Sequence, residues 1–476
     1  MDSFMVPTEI LDAFKQKGYT ILIKGKAGTG KTTLSLELIE SAKEKIYISS
    51  RMTPKNIVSQ FPWLKSNEIS FIDATQTFIQ DDSITSQIER AIRFREMPGF
   101  LQKLYDIVKE KSDRPIVVID SWDAIKAGIF DKGLKAKRVE SVLAEMVRYL
   151  KFNLILIVES EEQYLDYISD GIVELRSEVN ENRRIRTIEI KKMRGVEIKQ
   201  PEYLFSLHKG RFRNFAKISE YIPLKKLTNA PPVIKNTKNR LLSYSNSLNE
   251  FFDHGQKKGV IRLLEIGNGV GFEYIWLLIP SIINQLQQNC GITIIPDEGM
   301  DFKLIFNVIS KYIPEEKFNK YLSFFDFPPT YREPEDFKNL INLFDPNEDL
   351  ETLTTNLSKN MSEKIAVLDK KYGYSGGIAI FGSNRFENRF GVEDVLRLSM
   401  ALSEFIKLFR KSNMIYLSHS SQKINKKIAS MVTTHFKIER VSNTLVIYGI
   451  IPFTKLHAII INFREGYPKI KLYPIV

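Results

Sequence analysis

Cysteine and histidine are scarce in this 476-residue chain, which contains one cysteine, Cys290, and five histidines. A single thiol cannot close an intrachain disulfide, so the composition fits a reducing compartment and we expect a cytoplasmic protein. A zinc site built on cysteines is excluded, and the histidines show no ligand spacing. No apolar run is long enough to cross a membrane, and the N-terminal residues lack a signal-peptide pattern, so we expect no membrane partner.

Acidic residues are outnumbered by basic ones, and the net charge of +12 raises the question of a nucleic-acid partner. The excess is divided evenly between residues 1–230 and the rest of the chain, so it marks neither half as a nucleic-acid module. One local concentration, the basic segment from Arg183 to Lys217, holds eleven basic residues. Arginine and phenylalanine alternate within it at Arg211–Phe215, which suits a groove for single-stranded DNA. The phenylalanines equally suit the core-facing side of a strand, and we favour that interpretation.

Residues 25–32 match a phosphate-binding loop that lies between the apolar run Tyr19–Ile23 and the helix-like segment Thr32–Glu40. The glycines let successive backbone N–H groups turn toward a phosphate, and the helix N-terminus adds partial positive charge. We expect Lys31 to neutralise the β- and γ-phosphates of a nucleoside triphosphate, and the Thr32 hydroxyl to bind Mg²⁺. The predicted nucleotide-binding residues are Gly25, Lys26, Ala27, Gly28, Thr29, Gly30, Lys31, Thr32 and Thr33.

An acidic residue at the end of a hydrophobic strand would supply the metal side of such a site. The run Pro115–Ile119 is followed by Asp120, at the carboxyl edge where ligands of open α/β sheets bind. We therefore expect Asp120 to hold Mg²⁺ through water. The nearby Asp123 is more typical of a helix cap or a surface acid.

Short apolar strands alternate with amphipathic helices over residues 19–225, which predicts a parallel sheet with helices on both faces. Candidate strands are 20–24, 45–49, 69–73, 115–119 and 153–158, followed by a β-rich tail at 171–176, 185–192 and 203–208. Proline, asparagine and lysine predict a linker at 226–240, between a domain at 1–225 and another at 241–476.

The second half of the sequence resembles a degenerate repeat of the first half. A strand-like run at 259–266 leads into the glycine-rich segment 267–274, where Glu273 and Tyr274 stand at the lysine and hydroxyl positions. A carboxylate would repel phosphate, and tyrosine cannot replace the compact metal ligand. A further strand at 376–381 ends without an aspartate, so we expect a degenerate domain that lacks a functional loop.

Several sequence motifs, which occur one after another along the chain, resemble those of the KaiC-like ATPases of the RecA superfamily. Besides the loop and the segment Val117–Ser121, they include the strand Ser169–Arg176 and the segment Arg186–Gly195, which ends in Lys-Met-Arg-Gly. Within the superfamily the details look closest to the archaeal GvpD-like group, in Pro7–Ile10, Ile46–Pro54 and Phe61–Trp63. The resemblance implies two tandem RecA-like domains of α/β class, and ATP with Mg²⁺ as the ligands.

The same resemblance implies that Lys192 and Arg194 act in trans, on the γ-phosphate held by a neighbouring subunit, which requires a homo-oligomeric ring or filament. A solvated basic hairpin is the alternative. The family places two glutamates, one of which activates water, where this chain has Arg51 and Met52. Possible substitutes follow the 153–158 strand: Glu159, Glu161 and Glu162. These acids also suit the start of a helix, and we favour that interpretation.

Three functional hypotheses follow. The first is a slowly hydrolysing, ATP-binding regulatory ATPase that self-assembles and controls a protein partner through its second domain. The second is an accessory RecA paralogue that binds single-stranded DNA in repair, and the third is a nucleotide-bound pseudo-enzyme scaffold. Salt-sensitive DNA binding would favour the second, and turnover measured in the oligomer separates the third from the other two.

Overall fold

The computed structural model describes most of the chain. Its described residues are 6–65, 68–74, 99–111, 113–130, 136–159, 163–215, 224–298, 300, 302–327, 341–345, 347–359, 376–409 and 412–476. The fold divides into a first unit, residues 1–216 together with Ile475–Val476, and a second unit, residues 217–474. Within the described part of the chain, no helix combines the length and the apolar character needed to span a membrane.

The first unit is built on a sheet of nine strands. In chain order they are β1 (Thr20–Lys24), β2 (Lys45–Ser49), β3 (Ile69–Asp73), β4 (Ile116–Asp120), β5 (Asn153–Val158), β6 (Gly171–Asn180), β7 (Arg183–Met193), β8 (Glu202–Ser206) and β9 (Arg213–Phe215). The spatial order is β3-β2-β4-β5-β1-β6-β7-β8-β9; strands β3 to β6 pair in parallel, and β6 to β9 form an antiparallel tail. For most strand ends, the position predicted from the sequence lies within two residues of the observed one.

Helices cover both faces of this sheet. They are α1 (Thr8–Ala13), α2 (Lys31–Glu40), α3 (Pro54–Gln60), α4 (Gly99–Glu110), α5 (Trp122–Phe130), α6 (Ala136–Leu150) and α7 (Gln163–Ile168). Alternation along β1 explains the two layers: Ile21 and Ile23 pack into one hydrophobic core and Leu22 into the other. The same strand therefore anchors both cores and ends at the glycine-rich loop.

The second unit repeats this plan. Its strands are β10 (Arg240–Leu241), β11 (Gln256–Lys257), β12 (Ile261–Ile266), β13 (Gly291–Ile295), β14 (Leu322–Asp326), β15 (Ile341–Leu343), β16 (Gly377–Gly382), β17 (Ser412–His419), β18 (Thr434–Val441), β19 (Thr444–Ile451), β20 (His457–Asn462) and β21 (Lys469–Pro474). Its helices are α8 (Asn246–Phe251), α9 (Ile275–Gln287), α10 (Phe302–Ile309), α11 (Glu315–Tyr321), α12 (Asn384–Phe390), α13 (Val392–Phe409) and α14 (Asn425–Met431).

Strand order shows how close the repeat is. The second sheet runs β15-β14-β13-β16-β17-β12-β18-β19-β20-β21, parallel up to β18 and antiparallel beyond it. Apart from the added edge strand β15, β12 takes the place of β1, and β13, β14, β16, β17 and β18 take those of β2 to β6. The predicted fold class, two tandem RecA-like α/β domains of which the second is degenerate, is confirmed. The predicted domain limits at 225 and 241 stay predictions.

Candidate functional site

The glycine-rich loop at 25–32 leaves β1 and enters α2 with three glycines in left-handed backbone: Gly25 (φ 147°), Gly28 (φ 76°) and Gly30 (φ 105°). A side chain at position 25 would also bring its Cβ to 2.5 Å from the carbonyl oxygen of Leu175. Glycine is therefore required there by backbone conformation and by space. The first-turn N–H groups of a helix have no partner within the helix, so the loop presents the start of α2 as an anion site.

Lys31, the first residue of α2, has a buried side chain that folds back over the loop. Its ammonium donates to the carbonyl oxygens of Gly25 (2.7 Å) and Lys26 (2.9 Å). Burial lowers the pKa of Lys31, and the nearby Glu159 carboxylate opposes that shift. The ammonium thus lies at the mouth of the loop, where it can meet phosphate oxygens.

Thr32 and Asp120, the two residues predicted to bind Mg²⁺, lie next to each other, and their metal-binding role stays a prediction. The Thr32 hydroxyl donates to Asp120 Oδ2 at 2.7 Å, across 88 residues of sequence. The Tyr47 hydroxyl donates to the same oxygen at 2.6 Å from inside β2, and burial raises the pKa of Tyr47. A hydroxyl and a carboxylate oxygen, held together beside a phosphate loop, are ligands of the kind that Mg²⁺ accepts. The donor set therefore fits Mg²⁺ bound with a nucleoside triphosphate, whose charge the metal would neutralise.

Comparison with known proteins agrees with this geometry. A family model for the KaiC ATPases matches residues 8–212. The first unit holds a KaiC-like ATPase domain. The whole chain is also similar to Protein GvpD1 and Protein GvpD2 of Halobacterium salinarum, each 22% identical over 99% of this chain and over 97% and 96% of those proteins.

The similarity to circadian clock oscillator proteins is confined to part of the chain. KaiC of Thermostichus vulcanus is 28% identical over 41% of this chain and 40% of its own length. The chain is thus similar to the GvpD proteins along almost its whole length and to the KaiC proteins over part of it, which agrees with the resemblance seen in the sequence.

Lys192 and Arg194 lie near the carboxyl end of β7 in the KaiC-like domain. The Lys192 ammonium donates to the carbonyl oxygens of Asp166 and Ser169 at the end of α7, both at 2.7 Å. Arg194 is 55% exposed and pairs with Asp170 at 3.2 Å. In the single chain Lys192 is thus engaged with backbone, whereas Arg194 keeps an exposed guanidinium. Their action in trans stays a prediction.

Arg51 and Met52 follow β2, at the two positions where the resemblance to KaiC implies glutamates. Met52 packs against the hydrophobic core, and the exposed Arg51 forms a two-point ion pair with Glu159, at 3.0 and 3.2 Å. Of the three predicted substitute bases, Glu159 lies at the site, 3.6 Å from the Lys31 ammonium. Glu161 and Glu162 lie outside the described residues. Asp123, in the first turn of α5, accepts the Glu159 backbone N–H at 2.6 Å and so fixes this acid at the sheet edge.

Arg186 of β7 is a residue near the loop that the sequence interpretation did not single out. Its buried guanidinium donates to the carbonyl oxygens of Gly28 (3.1 Å) and Thr29 (3.2 Å), and also to that of Val476 (2.5 Å). Burial lowers the pKa of Arg186 to about 10. Arg186 is one of the eleven basic residues between Arg183 and Lys217, and nothing in the sequence distinguishes it from the others as a residue that supports the phosphate loop.

Over its described residues, 183–215, the basic segment does not form a stacking surface. Phe205, Phe212 and Phe215 are buried, and the first two rings stack on each other at 4.5 Å inside the hydrophobic core. Arg211 pairs with Glu37 of α2 and covers the Trp63 ring at 4.1 Å. Because stacking on bases requires exposed rings, the interpretation as a single-stranded DNA site finds no support, and the core-facing interpretation is confirmed.

The corresponding loop of the second unit, residues 267–274, follows β12. Glu273 is 2% exposed and forms an ion pair with Arg440 of β18, whose Nε also donates to the Gly269 carbonyl at 3.0 Å. The buried Tyr274 stands at the position that Thr32 occupies in the first loop. An internal carboxylate therefore holds this loop, and its lack of phosphate binding stays a prediction.

Proposed function

We propose that the chain is an ATP-binding regulatory ATPase whose nucleotide-loaded state self-associates and controls a protein partner. The observation that carries the proposal is the assembly of Lys31, Thr32 and Asp120 at the mouth of a phosphate loop, with Thr32 and Asp120 joined at 2.7 Å. An ammonium and an Mg²⁺ ion placed on either side of the phosphates are the shared parts of this class of site.

The chain's own residues account for binding better than for fast turnover. The carboxylates that the family uses after the second strand are replaced by a cation and an apolar side chain, Arg51 and Met52. Glu159 also lies at the site, but both of its carboxylate oxygens are engaged by cations, Oε1 by Lys31 and Arg51 and Oε2 by Arg51. We therefore propose slow hydrolysis, with ATP acting as a switch. The circadian oscillator name of the KaiC relatives agrees with a regulatory role.

A nucleotide-bound pseudo-enzyme scaffold is the second candidate, and the same substitution at positions 51 and 52 favours it. The two candidates share nucleotide binding and differ in turnover. Phosphate release measured on the assembled protein separates them: a rate that Lys31→Ala removes supports the ATPase, and a rate equal to that of Lys31→Ala supports the scaffold.

Self-association is tested by size-exclusion chromatography with light scattering, with and without a slowly hydrolysed ATP analogue. We expect the analogue to bring the wild type into one discrete oligomer, while Lys31→Ala stays small because it cannot hold the phosphates. Arg194→Ala should bind the analogue and fail to assemble. Arg397→Ala, which removes an exposed arginine from an ion pair within helix α13, is the matched control. A wild-type mass that the bound analogue leaves unchanged contradicts the proposal.

A further inference from the structure

Arg51, Glu159 and Lys31 form a cluster of three charges at the carboxyl edge of the first sheet. Glu159 Oε1 lies 3.0 Å from Arg51 Nη1 and 3.6 Å from Lys31 Nζ, so one carboxylate oxygen links the two cations. The second carboxylate oxygen accepts from Arg51 Nη2 at 3.2 Å. The Glu159 carboxylate therefore lies between the Arg51 guanidinium and Lys31, the lysine that we expect to bind the phosphates.

The backbone on both sides of this cluster is fixed. Ser50, just before Arg51, donates its N–H to the Asp120 carbonyl at 2.9 Å, and its hydroxyl reaches the Ser121 carbonyl at 3.1 Å. The Met52 N–H is held by the Ser49 hydroxyl at 3.1 Å. Arg51 is thus anchored beside the metal-side carboxylate, while its own side chain is half exposed and free to change partner.

Strand order indicates which phosphate this guanidinium faces. The loop and the start of α2 follow β1, and β5 and β4 separate β1 from β2, where Arg51 lies. Loop N–H groups surround the phosphates nearest the helix, and the P-loop lysine reaches the β- and γ-phosphates. A terminal phosphate bound by the Lys31 ammonium would therefore be within the neighbourhood of Glu159 and Arg51, the charged groups next to that ammonium.

We propose that Arg51 recognises the γ-phosphate and makes the site selective for a triphosphate over a diphosphate, with Glu159 holding the guanidinium when no γ-phosphate is present. A guanidinium can bind phosphate with two N–H groups, as it binds Glu159. Glu159 also competes with the phosphates for Lys31, so the acid lowers the affinity for triphosphate. Arg51 is a specificity-determining residue in this scheme, supplied by the same chain, and the inference rests on the proposed function.

The test uses the full chain and titrates fluorescent analogues of ATP, made non-hydrolysable, and of ADP, at fixed Mg²⁺ concentration. For Arg51→Gln we expect a loss of about fivefold or more in affinity for the triphosphate and less than about twofold for the diphosphate. For Glu159→Gln we expect a gain of several fold for the triphosphate and a smaller gain for the diphosphate, because Lys31 also reaches the β-phosphate. Arg51→Lys should fall between wild type and Arg51→Gln, because a point charge remains without the two-point geometry. Arg397→Gln is the exposed-arginine control.

The outcomes separate the inference from the proposed function. If the wild type binds neither analogue, the proposed function fails, and this inference with it. If both analogues bind and the ratio of their affinities is the same in Arg51→Gln, Glu159→Gln and wild type, only the inference is overturned. Circular dichroism identifies a variant that does not fold, and in that case the other variant of the pair and Arg51→Lys still decide the result.

Discussion

The two glycine-rich loops of this chain follow equivalent strands and carry opposite charges. In the first, Lys31 is a buried cation at the start of a ten-residue helix, and its ammonium donates to the loop carbonyls. In the second, Glu273 is a buried anion neutralised by Arg440, which also binds the loop carbonyl of Gly269. The same strand-and-loop arrangement is therefore compatible with a phosphate site, as we propose for the first loop. It is also compatible with an internal ion pair that stabilises the loop without a ligand, as in the second.

The comparison extends to the strand that lies two positions along each sheet from the strand before the loop, β4 in the first sheet and β16 in the second. β4 ends in Asp120, which accepts hydrogen bonds from Thr32 and Tyr47. β16, in the same place in the second sheet, is followed by Ser383, whose hydroxyl donates to the Leu417 carbonyl at 3.1 Å. The second edge therefore carries a hydroxyl satisfied by backbone where the first carries the carboxylate that we propose binds Mg²⁺. The two sheets share their strand order and differ in the residues at this edge.

The largest effect should come from breaking the second loop's ion pair. Glu273→Ala leaves the Arg440 guanidinium partly buried without its carboxylate, and we expect the second unit to lose about 3 kcal/mol of stability. Hydrogen exchange of peptides covering β12 and α9 should then become on the order of 100-fold faster. Peptides covering β1 and α2 should exchange as in the wild type.

A double variant provides the control for that prediction. Glu273→Met with Arg440→Met replaces both charges by apolar side chains of similar length, and such replacements often cost little. We expect exchange in the second unit to return most of the way to the wild-type rate. If the single variant exchanges like the wild type, the ion pair does not close this loop, and the contrast between the two loops loses its energetic basis.

Features of the fold and the site that are determined within a short stretch of chain could be predicted from the sequence. The strand limits of the first unit, the loop at 25–32 and the acid at the end of β4 all follow from apolar runs and glycine spacing. Contacts between distant segments could not be predicted: Arg51 and Glu159 are separated by 108 residues, and Arg440 and Glu273 by 167. These pairs meet because of strand order, which one sequence does not reveal, and charged residues leave no periodic signal.

The difference between Asp120 in the first unit and Ser383 in the second should give an effect of intermediate size, on the Mg²⁺ dependence of triphosphate binding. Withholding Mg²⁺ should weaken binding of the triphosphate analogue to the wild type by about tenfold, because the ion neutralises phosphate charge. Asp120→Asn keeps the shape of the side chain and removes its charge, so titrations with and without Mg²⁺ should give nearly the same affinity. Ser383→Ala, at the corresponding place in the second unit, should retain the wild-type response to Mg²⁺. An Asp120→Asn protein with a full tenfold response would remove Asp120 from the metal site.

The smallest expected effect is a pH dependence confined to the second unit. His419, which ends β17, lies with Nε2 2.8 Å from Oδ2 of the fully buried Asp297, and the hydrogen bond to Asp297 raises the pKa of His419, with Glu298 adding to the shift. A raised folded-state pKa stabilises the fold below the unfolded pKa of about 6.5, and that stability is lost as pH rises through the folded value. Exchange of peptides from β17 and β13, corrected for the intrinsic pH dependence, should therefore become faster as pH increases across this window, while β1 and β5 of the first unit change less. Asp297→Asn removes the carboxylate that holds the proton, so the same peptides in that variant should lose the dependence. A pH response that survives in Asp297→Asn would assign it to another group and leave this edge of the second sheet without a titrating pair.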